Sequence, residues 1–310
     1  MRCYYRHLET LPLVSIITPS LNSARFLEEA IQSVIAQDYP RVEYLIMDGG
    51  STDGTLDILR AHAQQLRYVS AADSGAAEAI NKGLAGARGE IVAWLNADDT
   101  YLPGAVSKAV EALAANPDAG MVYGEGYWLD AEGKVLGSYP TEECDRESLG
   151  RECCICQPSC FMRREAVRSV GGLNPQLRAS FDYDLWIRMA QRYRFARIPE
   201  HLATSRMHAA NKTLGQRETV FRESMELLAR HYGYVPVRWV YGQLMFLRDG
   251  RDQFFEPLRR SAWTYLWALA AGLRRNRGHR WRYVKEWLAP VRPGKLRQVV
   301  GQEGRSPGRT

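Results

Sequence analysis

Apolar residues fall alternately into short runs and helix-spaced sets over the first hundred positions. Residues 13–18 are rich in β-branched and large apolar side chains and stop at Pro19. Over 24–37, Phe26, Leu27, Ala30, Ile31, Val34 and Ile35 then recur at helical spacing. The step repeats. Residues 42–47 predict a second strand, and 48–55 supply the glycines and Ser, Thr and Asp residues of a turn and a helix N-cap before a helix over 56–63. Residues 66–70, 76–87 and 90–95 predict a third strand, a helix closed by Gly89 as its C-cap, and a fourth strand. Repeated β–α steps imply an α/β fold: a doubly wound, mostly parallel sheet with helices on both faces and right-handed crossovers. Beyond residue 100 the rhythm loosens. Residues 121–128 and 134–139 read as strands around a turn at 130–133, and 217–230 as a helix with Val220, Phe221, Leu227 and Leu228 on one side.

The 310 residues are 45% hydrophobic and 25% charged, which suits a catalytic domain with an appendage. Their formal net charge of +6 hides a split: residues 1–235 hold 25 Lys+Arg against 30 Asp+Glu, and residues 236–310 hold 16 against 5. That shift marks a boundary near Pro236. Four parts are expected: an N-terminal extension over 1–12, a catalytic domain over 13–235, a basic aromatic helical extension over 236–291, and a disordered tail over 292–310. Within the extension, arginines alternate with Trp263, Tyr265, Trp267, Trp281, Tyr283 and Trp287. This pattern fits amphipathic basic helices on an anionic membrane surface, and also a helical cap whose basic face is solvated. Nucleic acid is not an expected partner, because no RNA-binding module accompanies the tail. No apolar run reaches the roughly 18 residues that span a bilayer. The six cysteines are unevenly spaced, and the C-x-x-C at Cys153 and Cys156 has no second pair, so the thiols read as structural. With no leader-like segment before Leu13, a reduced, cytoplasmic setting is expected, peripheral at the inner face of the plasma membrane.

Candidate chemistry centres on Ile91-Val92-Ala93-Trp94-Leu95 followed by Asn96-Ala97-Asp98-Asp99. Adjacent carboxylates at the end of a buried strand call for a cation, and ligands of open α/β sheets bind in the crevice beyond the carboxyl ends of the strands. A divalent ion on a diphosphate answers both needs.

Several further motifs follow in order: Thr18-Pro19-Ser20-Leu21-Asn22, Asp48-Gly49-Gly50-Ser51-Thr52-Asp53-Gly54-Thr55, Asp73-Ser74-Gly75, Ala79-Ile80-Asn81-Lys82-Gly83, Cys156-Gln157-Pro158, Gly171-Gly172-Leu173 and Asp182-Tyr183-Asp184-Leu185-Trp186-Ile187-Arg188. With Asn96-Ala97-Asp98-Asp99 among them, the chain resembles the family 2 glycosyltransferases over about residues 13–215. The resemblance implies a GT-A fold, a UDP-, GDP- or dTDP-sugar donor, a divalent metal (Mn2+ or Mg2+) and inversion at the anomeric carbon. The acceptor it implies is a hydroxyl of a glycan or lipid-linked molecule, in cell-surface polysaccharide synthesis by a hexosyltransferase-type enzyme.

Residue by residue, Pro19 turns the chain so that its neighbours' backbone faces the nucleotide, and Asp48 contacts the base unless it serves the turn. Asp53 reads as a helix cap. Asp73, Asn81 and Lys82 are carried over as donor contacts, with a solvated helix face as the alternative for Asn81 and Lys82. Asp98 is assigned as metal ligand. Asn96 stands where the D-x-D pattern has its first acid, and its amide oxygen can reach the ribose, or the ion through water. Asp99 caps the helix after Pro103 or orients Asp98. His208 completes the metal site, and Lys212 or Arg206 meets the diphosphate. Asp182 maps to the base that takes the acceptor proton, with Phe181 in place of the family's Glu, and Asp184 anchors a neighbour such as Arg188. Two other classes stay open: a sugar-phosphate nucleotidyltransferase, for which the Gly-rich, Arg-containing phosphate loop is missing after the first strand, and a nonenzymatic nucleotide-sugar binder.

Overall fold

The computed structural model describes residues 11–250, 255 and 260–289. The expected tail over 292–310 and all but the end of the extension over 1–12 lie outside the described residues. Two compact units meet in sequence at Gln216 and Arg217. The charge boundary at Pro236 therefore falls inside the second unit.

The first unit is built on a nine-stranded sheet in the order β3-β2-β1-β4-β8-β6-β9-β5, with β7 paired to β6. β1 (Val14–Ser20) is buried at every position and runs parallel to β2 (Val42–Asp48) and β4 (Ile91–Trp94), with β3 (Arg67–Ser70) parallel to β2. Continuous apolar strands are what a sheet covered on both faces requires. Between them come α1 (Leu27–Ile35), which buries Leu27, Ala30, Ile31 and Val34, then α2 (Thr55–Ala61) and α3 (Ala76–Gly86). α3 lies so close to β1 that a Cβ on Gly83 would stand 2.5 Å from the Ile17 side chain. Gly89 serves close packing too, not a helix end. α3 stops at Gly86 with Ala87 extended, and a Cβ on Gly89 would meet the Ser15 backbone at 2.6 Å.

After β4 the regular β–α alternation ends and the sheet becomes mixed. β5 (Thr100–Tyr101) precedes α4 (Ala105–Ala115), and β6 (Ala119–Leu129) forms a hairpin with β7 (Val135–Ser138). After the one-turn α5 (Arg146–Leu149), β8 (Cys160–Arg163) enters between β4 and β6, antiparallel to both, and α6 (Arg164–Ser169) follows it. α7 (Phe181–Met189) leads to β9 (Arg194–Arg206), parallel to β6 and antiparallel to β5. Trp94 of β4 stacks on Trp186 of α7 with ring centroids 5.3 Å apart, both buried. That contact fixes α7 against the end of the strand that carries the acidic loop.

The buried Glu43 ties three segments together. Its carboxylate accepts from the Ser15 hydroxyl (2.6 Å), the Arg88 backbone N–H (2.9 Å) and guanidinium (2.7 Å), and Arg67 (3.1 Å). Burial raises its pKa, and these donors outweigh burial and hold it below the usual carboxylate range.

The second unit contains α9 (Arg217–Tyr232), α10 (Val237–Asp249), α11 (Ala262–Arg275) and α12 (Arg280–Leu288); α8 lies in the first unit and is described below. The aromatic residues of the extension divide between inside and outside. Tyr265 and Trp287 stack at 4.9 Å, the Tyr265 hydroxyl donating to the Trp287 carbonyl and the Trp287 indole N–H to the Tyr265 carbonyl, and Tyr283 is buried against Gly272 with its hydroxyl on the Ala268 carbonyl. Trp263, Trp267 and Trp281 face outward. No helix among the described residues is long and apolar enough to cross a membrane.

Candidate active site

A cleft of about 860 Å³ opens at the carboxyl ends of β1 and β4. β1 delivers Pro19, the loop between β3 and α3 delivers Asp73, the loop after β4 delivers Asn96 and Asp98, the start of α7 delivers Asp182, and the segment after β9 delivers His208 and Lys212. Seven of the residues expected from the sequence thus line one cavity.

The loop 96–99 is held by a chain of hydrogen bonds whose direction is fixed at both ends. The Trp94 carbonyl can only accept, and it takes the Gln157 side-chain N–H (2.9 Å). Gln157 Oε1 then accepts from Asn96 Nδ2 (3.0 Å), which also donates to Asp99 Oδ2 (2.9 Å), while Asp99 Oδ1 accepts the Arg206 backbone N–H (2.9 Å). Residue 96 must therefore donate twice. An amide does this and a carboxylate cannot, which accounts for the departure from D-x-D. Asp99 is buried, and burial followed by the nearby Asp98 charge pushes its pKa up. It couples the loop to β9 and does not cap α4, whose N-cap is Gly104.

Asp98 Oδ2 lies 3.0 Å from His208 Nε2, and the imidazole rests on Phe26 at 5.0 Å. Arg206 also lines the cleft, and its buried guanidinium donates to Glu29 (2.6 Å) and to the Asp98 carbonyl (3.1 Å) and stacks on Phe26. Among the described residues no group of three His, Cys, Asp or Glu side chains is arranged to hold a metal. Asp98 and His208 pair at the cleft. One carboxylate and one imidazole fit a divalent ion whose remaining ligands are diphosphate oxygens and water.

Asp182 opens α7, where its Oδ1 accepts the Tyr183 N–H (2.7 Å), and Asp184 turns away to pair with Arg188 (2.7 Å) as expected. Arg188 also binds the carbonyls of Val170 and Gly172, so the Gly171-Gly172 turn is fastened to α7. Lys212 begins the short helix α8 (Lys212–Gly215), capped by Asn211, and its ammonium sits 4.6 Å from the centre of the Phe181 ring. Phe181 thus binds the segment that carries His208 and Lys212. Sequence reasoning missed this contact, and missed Phe26 and Gln157 as supports. The signal for Gln157 was its place in the Cys156-Gln157-Pro158 motif.

Three expected donor contacts do not line the cleft. Asp48 is buried, and its carboxylate is taken by the N–H groups of Gly50 (3.1 Å) and Ser51 (3.0 Å) and by the hydroxyls of Ser70 (2.6 Å) and Ser51. Burial raises its pKa, and these bonds override burial and lower it. Asp48 shapes the turn, where Gly50 has φ +89°. Asn81 clamps the backbone of Leu173 in both directions (2.8 and 3.0 Å), and Lys82 pairs with Glu78 on the helix surface (2.8 Å). Asp53 accepts the Thr55 N–H (2.9 Å) and the Ala24 N–H (3.0 Å) just before α2, whose N-cap is Gly54 rather than the expected Asp53. The five described cysteines are free thiols.

Comparison with known proteins identifies the family. The family model for glycosyl transferase family 2 matches residues 15–171. An uncharacterised glycosyltransferase of Rickettsia typhi is 29% identical over 266 residues, covering 80% of this chain and 79% of the relative. Chondroitin synthase of Escherichia coli is 27% identical over 242 residues, covering 74% of this chain and 35% of that protein. The O-antigen biosynthesis protein RfbC of Myxococcus xanthus is 32% identical over 190 residues, which are 59% of this chain and 15% of RfbC. The chain thus spans only part of these two longer relatives. Among solved structures, S. aureus TarS 1-349 in complex with UDP-GlcNAc superposes with a TM-score of 0.57 at 15% identity, covering 94% of this chain and 93% of that one. A mannosyltransferase from Pyrobaculum calidifontis in complex with GDP-Man and Mn2+ gives a TM-score of 0.54 at 22% identity, covering 90% and 82%. The α/β fold with its mixed sheet and helical C-terminal region matches GT-A glycosyltransferases, and the chain belongs to glycosyl transferase family 2.

Proposed function

We propose that this glycosyltransferase moves a hexose from a nucleotide-diphosphate-sugar to a hydroxyl of a glycan or lipid-linked acceptor, with inversion, at the cytoplasmic face of cell-surface polysaccharide synthesis. The observation that carries this reading is the convergence of Asp182, the Asp98–His208 pair and Lys212 on one cleft. The UDP-GlcNAc and GDP-Man complexes of the structural neighbours support a nucleotide-sugar donor, and the Mn2+ in one of them supports a metal. The names chondroitin synthase and O-antigen biosynthesis protein support the polysaccharide setting.

Asp98 and His208 would hold Mn2+ or Mg2+, and that ion when bound offsets the charge of the diphosphate. Asp182 takes the proton of the acceptor hydroxyl as its oxygen bonds to the anomeric carbon. The bond from that carbon to the diphosphate oxygen breaks on the opposite face, and its electron pair leaves with the nucleoside diphosphate. Lys212 adds positive charge at the cleft, and the Phe181 ring orients it. The test is a donor panel with Asp182→Asn beside the unaltered protein. Transfer should fall about 10²–10⁴-fold, the span general-base catalysis supplies, while donor binding holds. Undiminished transfer would remove Asp182 from the role.

A further inference from the structure

The second unit carries an apolar stripe that its own packing leaves uncovered. α11 buries Thr264, Ala268 and Gly272. On its other side Trp263, Leu266 and Trp267 are 72%, 49% and 66% exposed. Positions 263, 266, 267, 270 and 274 share one helical face, so the stripe runs into Arg274. At that end Gly233, Arg274, Arg275, Arg277 and His279 line a recess of about 740 Å³. The one acid between residues 262 and 288 is Glu286. Its carboxylate is turned inward, onto the Tyr234 hydroxyl and the Val237 N–H (2.9 Å), and among the described residues no carboxylate pairs with Arg274, Arg275 or Arg277.

Two outward tryptophans one turn apart, continuous with a cluster of guanidinium groups, match the boundary between acyl chains and phosphate headgroups. Tryptophan places an apolar body and a polar N–H at that depth, and arginine pairs bidentately with phosphate. The 16 Lys+Arg against 5 Asp+Glu over residues 236–310 give the region the charge opposite to such a surface. We propose that α11 docks on an anionic phospholipid bilayer, with Trp263, Leu266 and Trp267 at the acyl boundary and Arg274, Arg275 and Arg277 on lipid phosphates. Docking needs no turnover, so its test is separate from that of the transfer reaction.

The test is flotation of the purified full chain with vesicles of phosphatidylcholine alone or mixed with phosphatidylglycerol. The chain should float with the mixed vesicles, weaken as salt rises, and stay behind with neutral ones. Brominated lipid should quench tryptophan fluorescence of the unaltered protein. The Trp263→Ala, Trp267→Ala double variant should lose roughly tenfold or more in partitioning, from lost apolar burial. Each of Arg274→Gln, Arg275→Gln and Arg277→Gln should lose about fivefold, with melting curves unchanged. Three outcomes overturn the proposal: no flotation with anionic vesicles, flotation equal for the variants and the parent, or a dimer in sedimentation that the tryptophan changes convert to monomer.

Discussion

Asn96→Asp restores the family's acidic pattern, and the structure predicts that it weakens the protein. Asn96 Nδ2 donates to Asp99 Oδ2 at 2.9 Å and to Gln157 Oε1 at 3.0 Å. An aspartate puts oxygen against both acceptors. Gln157 cannot reverse its role, because the Trp94 carbonyl takes its N–H, and Asp99, which accepts the Arg206 N–H at Oδ1, can donate from Oδ2 only if it is protonated. A buried acceptor without a donor costs about 1–3 kcal/mol. A proton shared between residues 96 and 99 restores one of the two bonds, and Asp99, already pushed up by burial and by Asp98, helps to hold it. Retaining that extra proton costs up to about 1.4 kcal/mol for each pH unit above the unfolded carboxyl value near 4. The sum is about 3 kcal/mol or more at pH 7 and about 1–2 kcal/mol near pH 4. The folded variant binds more protons than its unfolded chain, so its deficit grows as pH rises. Urea denaturation of both proteins from pH 5 to pH 8 measures the difference. A variant as stable as the parent at every pH would refute the fixed direction of this chain.

Three other outcomes follow from the contacts on these side chains. Glu43→Gln should cost roughly 1–3 kcal/mol, because the amide nitrogen faces donors. The folded Glu43 pKa is lowered, so its contribution is present above the ordinary value of 4.5 and lost as pH falls through the lowered one. Acid titration of the unaltered protein should show that loss, and the variant should lack it. Asp48→Ala should lower the melting midpoint by the equivalent of about 2–4 kcal/mol, whereas a base-contacting Asp48 would change donor affinity and leave stability alone. Phe181→Leu should remove a cation–π contact of about 0.5–1 kcal/mol and raise the donor KM two- to fivefold, and an unchanged KM would separate Lys212 from the donor.

The first half of the fold was legible because each buried strand is one apolar run and each helix shows its own period. β1, β2 and β4 needed only local pattern. The insertion of β8 between β4 and β6 was not legible, since pairing residues about 40 apart on one side and about 70 apart on the other leaves no periodic mark. The site divided on the same ground. Residues at strand and helix ends, such as Asp98 and Asp182, reached the cleft. Asn81 looked alike in sequence, yet its partner is Leu173, 92 positions away. Asp48 shows the other limit: its turn-forming and ligand-binding readings use the same residue types, and the sequence does not show the four donors that its carboxylate takes. In the extension, composition gave the basic aromatic character but not which rings are inside, because Tyr265, Tyr283 and Trp287 are sorted from Trp263 and Trp267 by helix contacts.

In the proposed site, Asp98 and His208, 3.0 Å apart, would supply two metal ligands and a nucleoside diphosphate the rest. Calorimetric titration of Mn2+ into the protein with and without that nucleotide tests this directly. Binding should be weak alone and tighten at least tenfold with the nucleotide, and Asp98→Asn should abolish the gain. Equal Mn2+ affinity with and without the nucleotide, or a gain that survives Asp98→Asn, would contradict the assignment.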